Sequence, residues 1–580
     1  MILVHTRCAL LSRGLGEKMF IVGCWVGLAQ HRLSIGFPGI TPDKDKVASM
    51  SNKVRTRSER DTFNTRLVFL MAAIGSAVGL GNIWRFPYVA YENGGGAFLV
   101  PYIVALLTAG IPILWFDLAL GHRFRGSTPL AFRRISPKAE WIGWFKVGVN
   151  FFIAIYYAAI VAWAAIYTVK SFNQGWGDKP DEYFMGDFLQ ADTSVNYSAK
   201  FVWPILLVMV LVWIICIAAL ATDINKGIGK LTSIFLPVLA VMFIVLVVRA
   251  LFLDGAVDGL NAFFTPNWSV LSDPSVWIAA YGQIFFSLSI GFGIMVTYAS
   301  YLKPRTNITN TGLVTAFANS SFEILAGIGV FATLGFMAAQ QGVGVDEVVS
   351  SGIGLAFIAF PTIINSMPLG WLFGFLFFGS LFLAGVNSMI SIMEVVFAGV
   401  ADKFSIPRKK AALYAGTVMA IVSCLLFSTQ SGLVTLDVMD KFTNNLGIVF
   451  GCVCALIMVG WVLGRRNEIA QHINAVSALR VGLVWEFLTF VATPLLLVYF
   501  LVTEIMSLIK EPYGDYMQSQ IGLYGWAVMA IIFAIAIVGP LLKFRGSQHL
   551  DGLETSDYGV PAKGRPKGTA NPLANPTIQN

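Results

Sequence analysis

Apolar residues in this chain come in long runs with almost no charge inside them, separated by short polar segments that carry most of the Lys, Arg, Asp and Glu. An α-helix needs about 20 consecutive apolar residues to cross a bilayer. On that criterion the pattern predicts spans near 66–91, 97–120, 143–171, 202–221, 232–252, 276–302, 311–340, 369–400, 410–428, 438–464, 480–507 and 522–544. The predicted fold class is therefore an all-α polytopic membrane protein with about 12 transmembrane helices.

The ends of the chain read differently. Residues 1–65 are polar apart from Met19–Ala29, which is too short to span and has no small-residue cleavage site after it. Met50 opens a basic stretch, and we expect translation to start there, with the first 49 residues a start-site extension. Residues 1–60 are expected to be a disordered cytoplasmic segment. The polar tail, 546–580, with its Gly and Pro, is expected to be the same.

Composition agrees with the membrane reading: 56% of the 580 residues are hydrophobic and only 12% charged, where a soluble domain carries about a quarter charged residues. The net charge of +8 sits in the connections between spans, so nucleic-acid binding is excluded. Basic residues follow the even-numbered spans: Arg123, Arg125, Arg133, Arg134 and Lys138, then Lys226 and Lys230, Lys303 and Arg305, Lys403, Arg408, Lys409 and Lys410, Arg465 and Arg466. Asp178, Asp181, Glu182, Asp187 and Asp192 cluster after the third span. By the positive-inside rule both termini are cytoplasmic, in a cell inner (plasma) membrane. Six cysteines show neither a disulfide framework nor a metal spacing, and the five histidines are expected outside the apolar cores.

Two spans are interrupted. The first contains Gly75, Gly79, Gly81 and Asn82, followed by Arg85. The sixth contains Ser287, Ser289, Gly291, Phe292 and Gly293. Gly weakens a helix by roughly 1 kcal/mol relative to Ala. Clustered glycines permit local unwinding, which frees backbone carbonyls and amides. Such groups are tolerated at membrane depth only where a cavity, ion or partner satisfies them. The pair Gly75/Gly79 alone would also suit close helix packing. Matching interruptions five spans apart point instead to a transport site.

The run GSAVGLGNIWRFPYVAYENGGGAFLVPY (Gly75–Tyr102) resembles the first two spans of the neurotransmitter:sodium symporter family, in its bacterial amino acid branch. The resemblance continues through Ile155–Tyr157, GQIFFSLSIGFG (Gly282–Gly293), Asn319, Ala384–Ser388 and Asp437–Asp440. It implies two inverted five-helix repeats over 61–464, with helices 1 and 6 discontinuous, and two further helices within 465–545.

The same resemblance implies two sodium sites. One would use the Ala77 carbonyl, Asn82, Ser287, Asn319 and the substrate carboxylate. The other would use the carbonyls of Gly75, Val78 and Ala384 with Asn387 and Ser388. All are oxygen ligands, which suit a hard cation. Ser287 and Asn387 depart from residues common in relatives, but both keep an oxygen. The amides near Leu80 and Gly81, with the Tyr157 hydroxyl, would receive the substrate carboxylate. Carbonyls at Ala77, Phe286 and Ser287, with Ser289, would receive its amine. Ile153, Leu80, Phe286, Phe292, Ile392 and Ser391 would line an apolar side-chain pocket. Monoamine carriers have an Asp where Gly79 stands, so this site expects a substrate bringing its own carboxylate.

Gates are implied too: Arg85 with Asp440 outside, Phe292 as the lid, and Arg60 with Asp402 inside, where Phe63 replaces a common Trp. Glu323 lies four residues after Asn319, on the same helix face. There it would supply the negative charge that chloride supplies in animal relatives. The expected function is sodium-coupled, chloride-independent symport of a neutral, apolar amino acid. Its partners are that amino acid and the bilayer, with a homodimer left open. No nucleophile, acid pair or metal cluster converges as an enzyme would need, and no continuous polar stripe suggests a channel. A non-transporting amino acid sensor is the remaining alternative.

Overall fold

The computed structural model describes residues 61–348, 352–514 and 516–545. The chain divides into the units 1–60 and 61–580, and every described residue belongs to the second. The expectations for 1–60, including Arg60, and for the tail from 546 fall outside the described residues.

Among the described residues the chain is helical, with isolated bridges but no sheet. Ten helices are long and apolar enough to cross a membrane, and an eleventh span results if the bent pair Arg66–Ala77 and Leu80–Glu92 is taken as one. The ten are Gly96–Phe124, Pro137–Asn173, Trp203–Leu220, Asn225–Leu251, Ile308–Gln341, Gly370–Phe404, Arg408–Phe427, Gly432–Val462, Leu483–Lys510 and Gln518–Leu541. The expected sixth span does not count on this test because it is cut into Pro274–Ser287 and Ile294–Ala299. We number the spans in chain order with the broken pairs as the first and sixth.

Local chemistry marks the helix ends. The Thr65 side chain accepts the Val68 amide at 3.3 Å and starts the first span. Asp273 caps the sixth in the same way through the Ser275 amide at 2.8 Å, with Pro274 at the first helical position. Gly342, at φ +68°, ends the seventh. Burial divides the bundle into centre and rim. The most apolar stretches of the third and eighth spans are 78% and 89% buried, and these two helices pack extensively on each other. The corresponding stretches of the fifth and eleventh are only 28% buried, which leaves them facing lipid.

Both breaks are set against this buried pair. In the first span the helix stops after Ala77, Val78 and Gly79 run extended, and a new helix starts at Leu80 at 51° to the first. In the sixth, Ser289, Gly291 and Gly293 have φ of +52°, +83° and +91°. Glycine takes this region without strain. Ser289 takes it with its hydroxyl donating to the Ser76 carbonyl at 3.1 Å, which ties the two breaks together.

Candidate functional site

The breaks line a cavity of about 550 Å³ that runs from Ser289, Ile153, Phe292 and Ile392 past Arg85 to Asp437 and Tyr516. Leu80 and Gly81 open the second half of the first span, so their amides lack acceptors within the helix, and the Leu80 amide meets the Tyr157 hydroxyl. A Cβ on Gly79 would lie 2.8 Å from Ser388 Oγ and 3.4 Å from the Tyr157 hydroxyl. A Cβ on Gly81 would overlap Phe286, at 2.2 Å from Cε1. The first glycine therefore keeps space beside these amides, and the second lets the Phe286 ring lie on the helix.

Two polar clusters flank that space. In one, Asn82 Nδ2 donates to Asn319 Oδ1 at 2.9 Å, and Asn319 Nδ2 donates to Ser287 Oγ at 3.1 Å. Asn82 Oδ1 accepts the Gly79 amide at 2.9 Å. This brings together three side chains that lie far apart in sequence. In the other, Asn387 Oδ1 and Nδ2 and Ser388 Oγ are buried without a hydrogen-bonding partner, beside the end of the first half-helix at Gly75. Buried polar groups are satisfied as a rule. Oxygens left over at a helix break, where backbone carbonyls are also free, fit a hard cation.

Glu323 is fully buried. Its carboxylate accepts the Tyr102 hydroxyl, and Gln283 Nε2 at 2.6 Å. The Tyr102 hydroxyl also touches Ser320 Oγ at 2.8 Å.

Several expected placements change. The Arg85 guanidinium lies over the Phe286 ring, at 4.6 Å. Phe292 lies in the break, its carbonyl held by Asn150 Nδ2 at 2.7 Å. Within an unwound segment the helical period no longer tells which side chain points where. Arg85 and Asp440 do not form an ion pair. Asp440 instead accepts from Asn444 Nδ2 at 2.7 Å. Asn444 lies four residues on from Asp440, within a π turn over Thr443–Ile448. Ser391 is off the cavity, bonded to the Tyr298 hydroxyl at 2.8 Å. Asp402 accepts the Ser127 amide at 2.7 Å. His122 and His472 are buried, not peripheral, with ring nitrogens 2.9 Å apart.

The end of the site away from Arg85 holds contacts that sequence reasoning missed. Phe63 packs edge-on against Tyr298 and Tyr301 at 6.1 and 6.2 Å. The Tyr301 hydroxyl donates to Glu394 Oε1 at 2.7 Å. Arg408 grips both oxygens of Glu394 at 2.6 Å. The available signal is Glu394 itself, an acid inside a predicted span. Opposite ends of the site thus differ: one is lined by Asp437, Asp440 and Tyr516, the other sealed by rings and a bidentate ion pair.

Residues 60–179 and 174–543 match the model of the sodium:neurotransmitter symporter family. The chain belongs to that family. It is a multi-pass membrane protein and a sodium symporter, not an enzyme. It is 37% identical to an uncharacterized sodium-dependent transporter of Methanocaldococcus jannaschii, over 84% of this chain and 98% of that one. It is 30% identical to a sodium-dependent dopamine transporter of Bos taurus, covering 84% and 75%. Similarity to a sodium- and chloride-dependent glycine transporter 2 of Xenopus laevis is 27%, covering 88% and 72%.

Proposed function

We propose that this symporter carries a neutral amino acid with an apolar side chain, together with two sodium ions and without chloride, as in the bacterial amino acid branch of the family. The observation that carries the reading is Gly79. It stands beside the amides that open a half-helix and two hydroxyls, and the inner pocket has no acidic side chain. Asp437 and Asp440, the acids that line the cavity, lie toward Arg85. A ligand with an amine alone would find no counter-charge there. An amino acid brings a carboxylate for the Leu80 and Gly81 amides and the Tyr157 hydroxyl, at the positive end of a half-helix.

The carboxylate would also complete the first ion's shell, with the Ala77 carbonyl, Asn82, Ser287 and Asn319. Asn82 would turn its amide to present oxygen. The second ion would take the Gly75, Val78 and Ala384 carbonyls with Asn387 and Ser388. The ammonium would sit among the carbonyls of Ala77, Phe286 and Ser287, near Ser289. Ile153, Leu80, Phe292 and Ile392 offer apolar surface, and a charged side chain placed among them would be costly. Phe286, pinned under Arg85, takes the role of lid. Glu323 supplies a carboxylate near Ser287 in place of chloride. The basic segments after even spans favour cytoplasmic termini. The Phe63–Tyr301–Glu394–Arg408 closure then faces the cytoplasm, and the lined mouth faces outside.

The test is a thermal-shift panel of the amino acids in sodium chloride and in choline chloride. A ligand at 100 times its Kd stabilises the native state by about 2.7 kcal/mol. An apolar amino acid should stabilise in sodium only. Equal stabilisation in both salts, or by monoamines in preference, overturns the reading.

A further inference from the structure

The transport cycle proposed for the pocket leaves open what holds one part of its wall in place. Gly291 and Phe292 cannot be held by a helix, since Gly291 lies at φ +83°. They are held from two other spans. Asp117 Oδ2, on the second, accepts the Gly291 amide at 3.2 Å. Asn150 Nδ2, on the third, donates to the Phe292 carbonyl at 2.7 Å and to the Lys146 carbonyl at 2.7 Å. One turn before Asn150 stands Lys146 itself, 2% exposed. Its Nζ has no hydrogen-bonding partner and makes no ion pair within 4 Å, as the Asn150 Oδ1 also lacks a partner.

A lysine in this setting is expensive, and an intramembrane charge calls for a role and a partner. The partner is identified by position. Lys146 Cγ and Gly291 abut the same turn of the tenth span. A Cβ on Gly451 would lie 3.6 Å from Lys146 Cγ, and one on Gly291 would lie 3.1 Å from Cys452 Cβ. Lys146 is also the basic group within electrostatic reach of Asp117. The other groups facing the pair are the thiols of Cys452 and Cys454, and the Phe132 ring, 5.6 Å from Nζ.

We propose that Lys146 and Asn150 are positioning residues for the pocket. Lys146 supplies the counter-charge that lets a buried Asp117 carboxylate hold the Gly291 amide. Asn150 holds the next peptide by its carbonyl. Together they fix Phe292, and with it the wall against which the substrate side chain packs. Removing one partner of such a pair is far more damaging than replacing both.

The experiment is hydrogen–deuterium exchange over residues 287–293 in the purified full chain, comparing wild type, Lys146→Met, Lys146→Arg and the double variant Asp117→Asn/Lys146→Met. A charge-assisted hydrogen bond is worth enough that its loss should raise exchange in this segment roughly tenfold in Lys146→Met. Lys146→Arg, which keeps the charge, and the double variant, which has no charge to balance, should stay near wild type. Unchanged exchange in Lys146→Met, or a double variant as open as the single, overturns the proposal. If Lys146→Met does not fold, the other two variants decide. Folded protein with wild-type exchange in both supports the pair, and failure of the double variant overturns it. A second arm measures uptake of labelled leucine and alanine, where Lys146→Met should raise KM severalfold more than it lowers the maximal rate. This arm rests on the proposed substrate class. If wild type takes up neither, that reading falls, while the exchange data still judge the role of Lys146.

Discussion

Replacing Glu323 with Ser removes a carboxylate that two buried donors address, the Tyr102 hydroxyl and Gln283 Nε2. A buried donor left unsatisfied costs about 1–3 kcal/mol. The Tyr102 hydroxyl can turn to Ser320 Oγ, 2.8 Å away, so the cost falls on Gln283. At about 1.4 kcal/mol per factor of ten, a loss of about 2 kcal/mol corresponds to a roughly 30-fold fall in uptake rate. Chloride can occupy the space left by the carboxylate, accept from both donors and restore the charge. In proteoliposomes, wild-type uptake should be equal in chloride and gluconate. Glu323→Ser should be depressed in gluconate and recover at least about tenfold in chloride, the factor expected for one restored charge-assisted bond. Glu323→Gln fills the space without the charge and should remain depressed in both. The reasoning is refuted if wild type needs chloride, or if Glu323→Ser responds equally to the two anions.

Three further outcomes are expected at the site. Gly79→Asp should abolish amino acid uptake, because its Cβ already meets Ser388 Oγ at 2.8 Å and its charge would oppose the substrate carboxylate; retained uptake would move the substrate elsewhere. Gly81→Ala places a methyl 2.2 Å from Phe286 Cε1, overpacking of the kind that costs about 1–3 kcal/mol, and should raise KM by about five- to 150-fold with folded protein recovered on gel filtration. Asn387→Leu removes the only side-chain amide at the second ion position and should lower the steepness of uptake against sodium concentration; an unchanged Hill slope would remove Asn387 from the site.

Much of this arrangement is legible in the sequence because it is written locally. Apolar runs place the spans to within a few residues, since length and hydropathy alone decide crossing. Glycines in the first and sixth spans mark the breaks. The i and i+4 spacing of Asn319 and Glu323 puts both on one face, and in the structure Ser287 and Gln283 meet them there. What the sequence does not carry is partner choice over long separations. His122 and His472, Arg408 and Glu394 with Tyr301, and Lys146 near Asp117 have no shared period that would join them. Helical period also fails inside the break, so the direction of Phe292 cannot be read from spacing, whereas Phe286 sits on the last helical turn before it. The Arg85–Asp440 pairing misses for another reason: cation–π stacking on Phe286 and the Asn444 amide occupy the two groups separately.

The broken first span has a mechanical consequence. Its two pieces, of 12 and 13 residues, meet at an angle of 51° through two extended residues that transmit no helical stiffness. At 1.5 Å per residue the shorter piece is a lever about 18 Å long, and swinging it by about 10° displaces its far end by about 3 Å, the width of a water molecule. A continuous helix of the same total length could make that opening only by tilting as a whole, which would disturb both ends at once. Here one end can move while the other stays seated, and the fulcrum lies where the ions and substrate are expected to bind. Ions and substrate bound at the joint would therefore stiffen it, and their loss would free the lever.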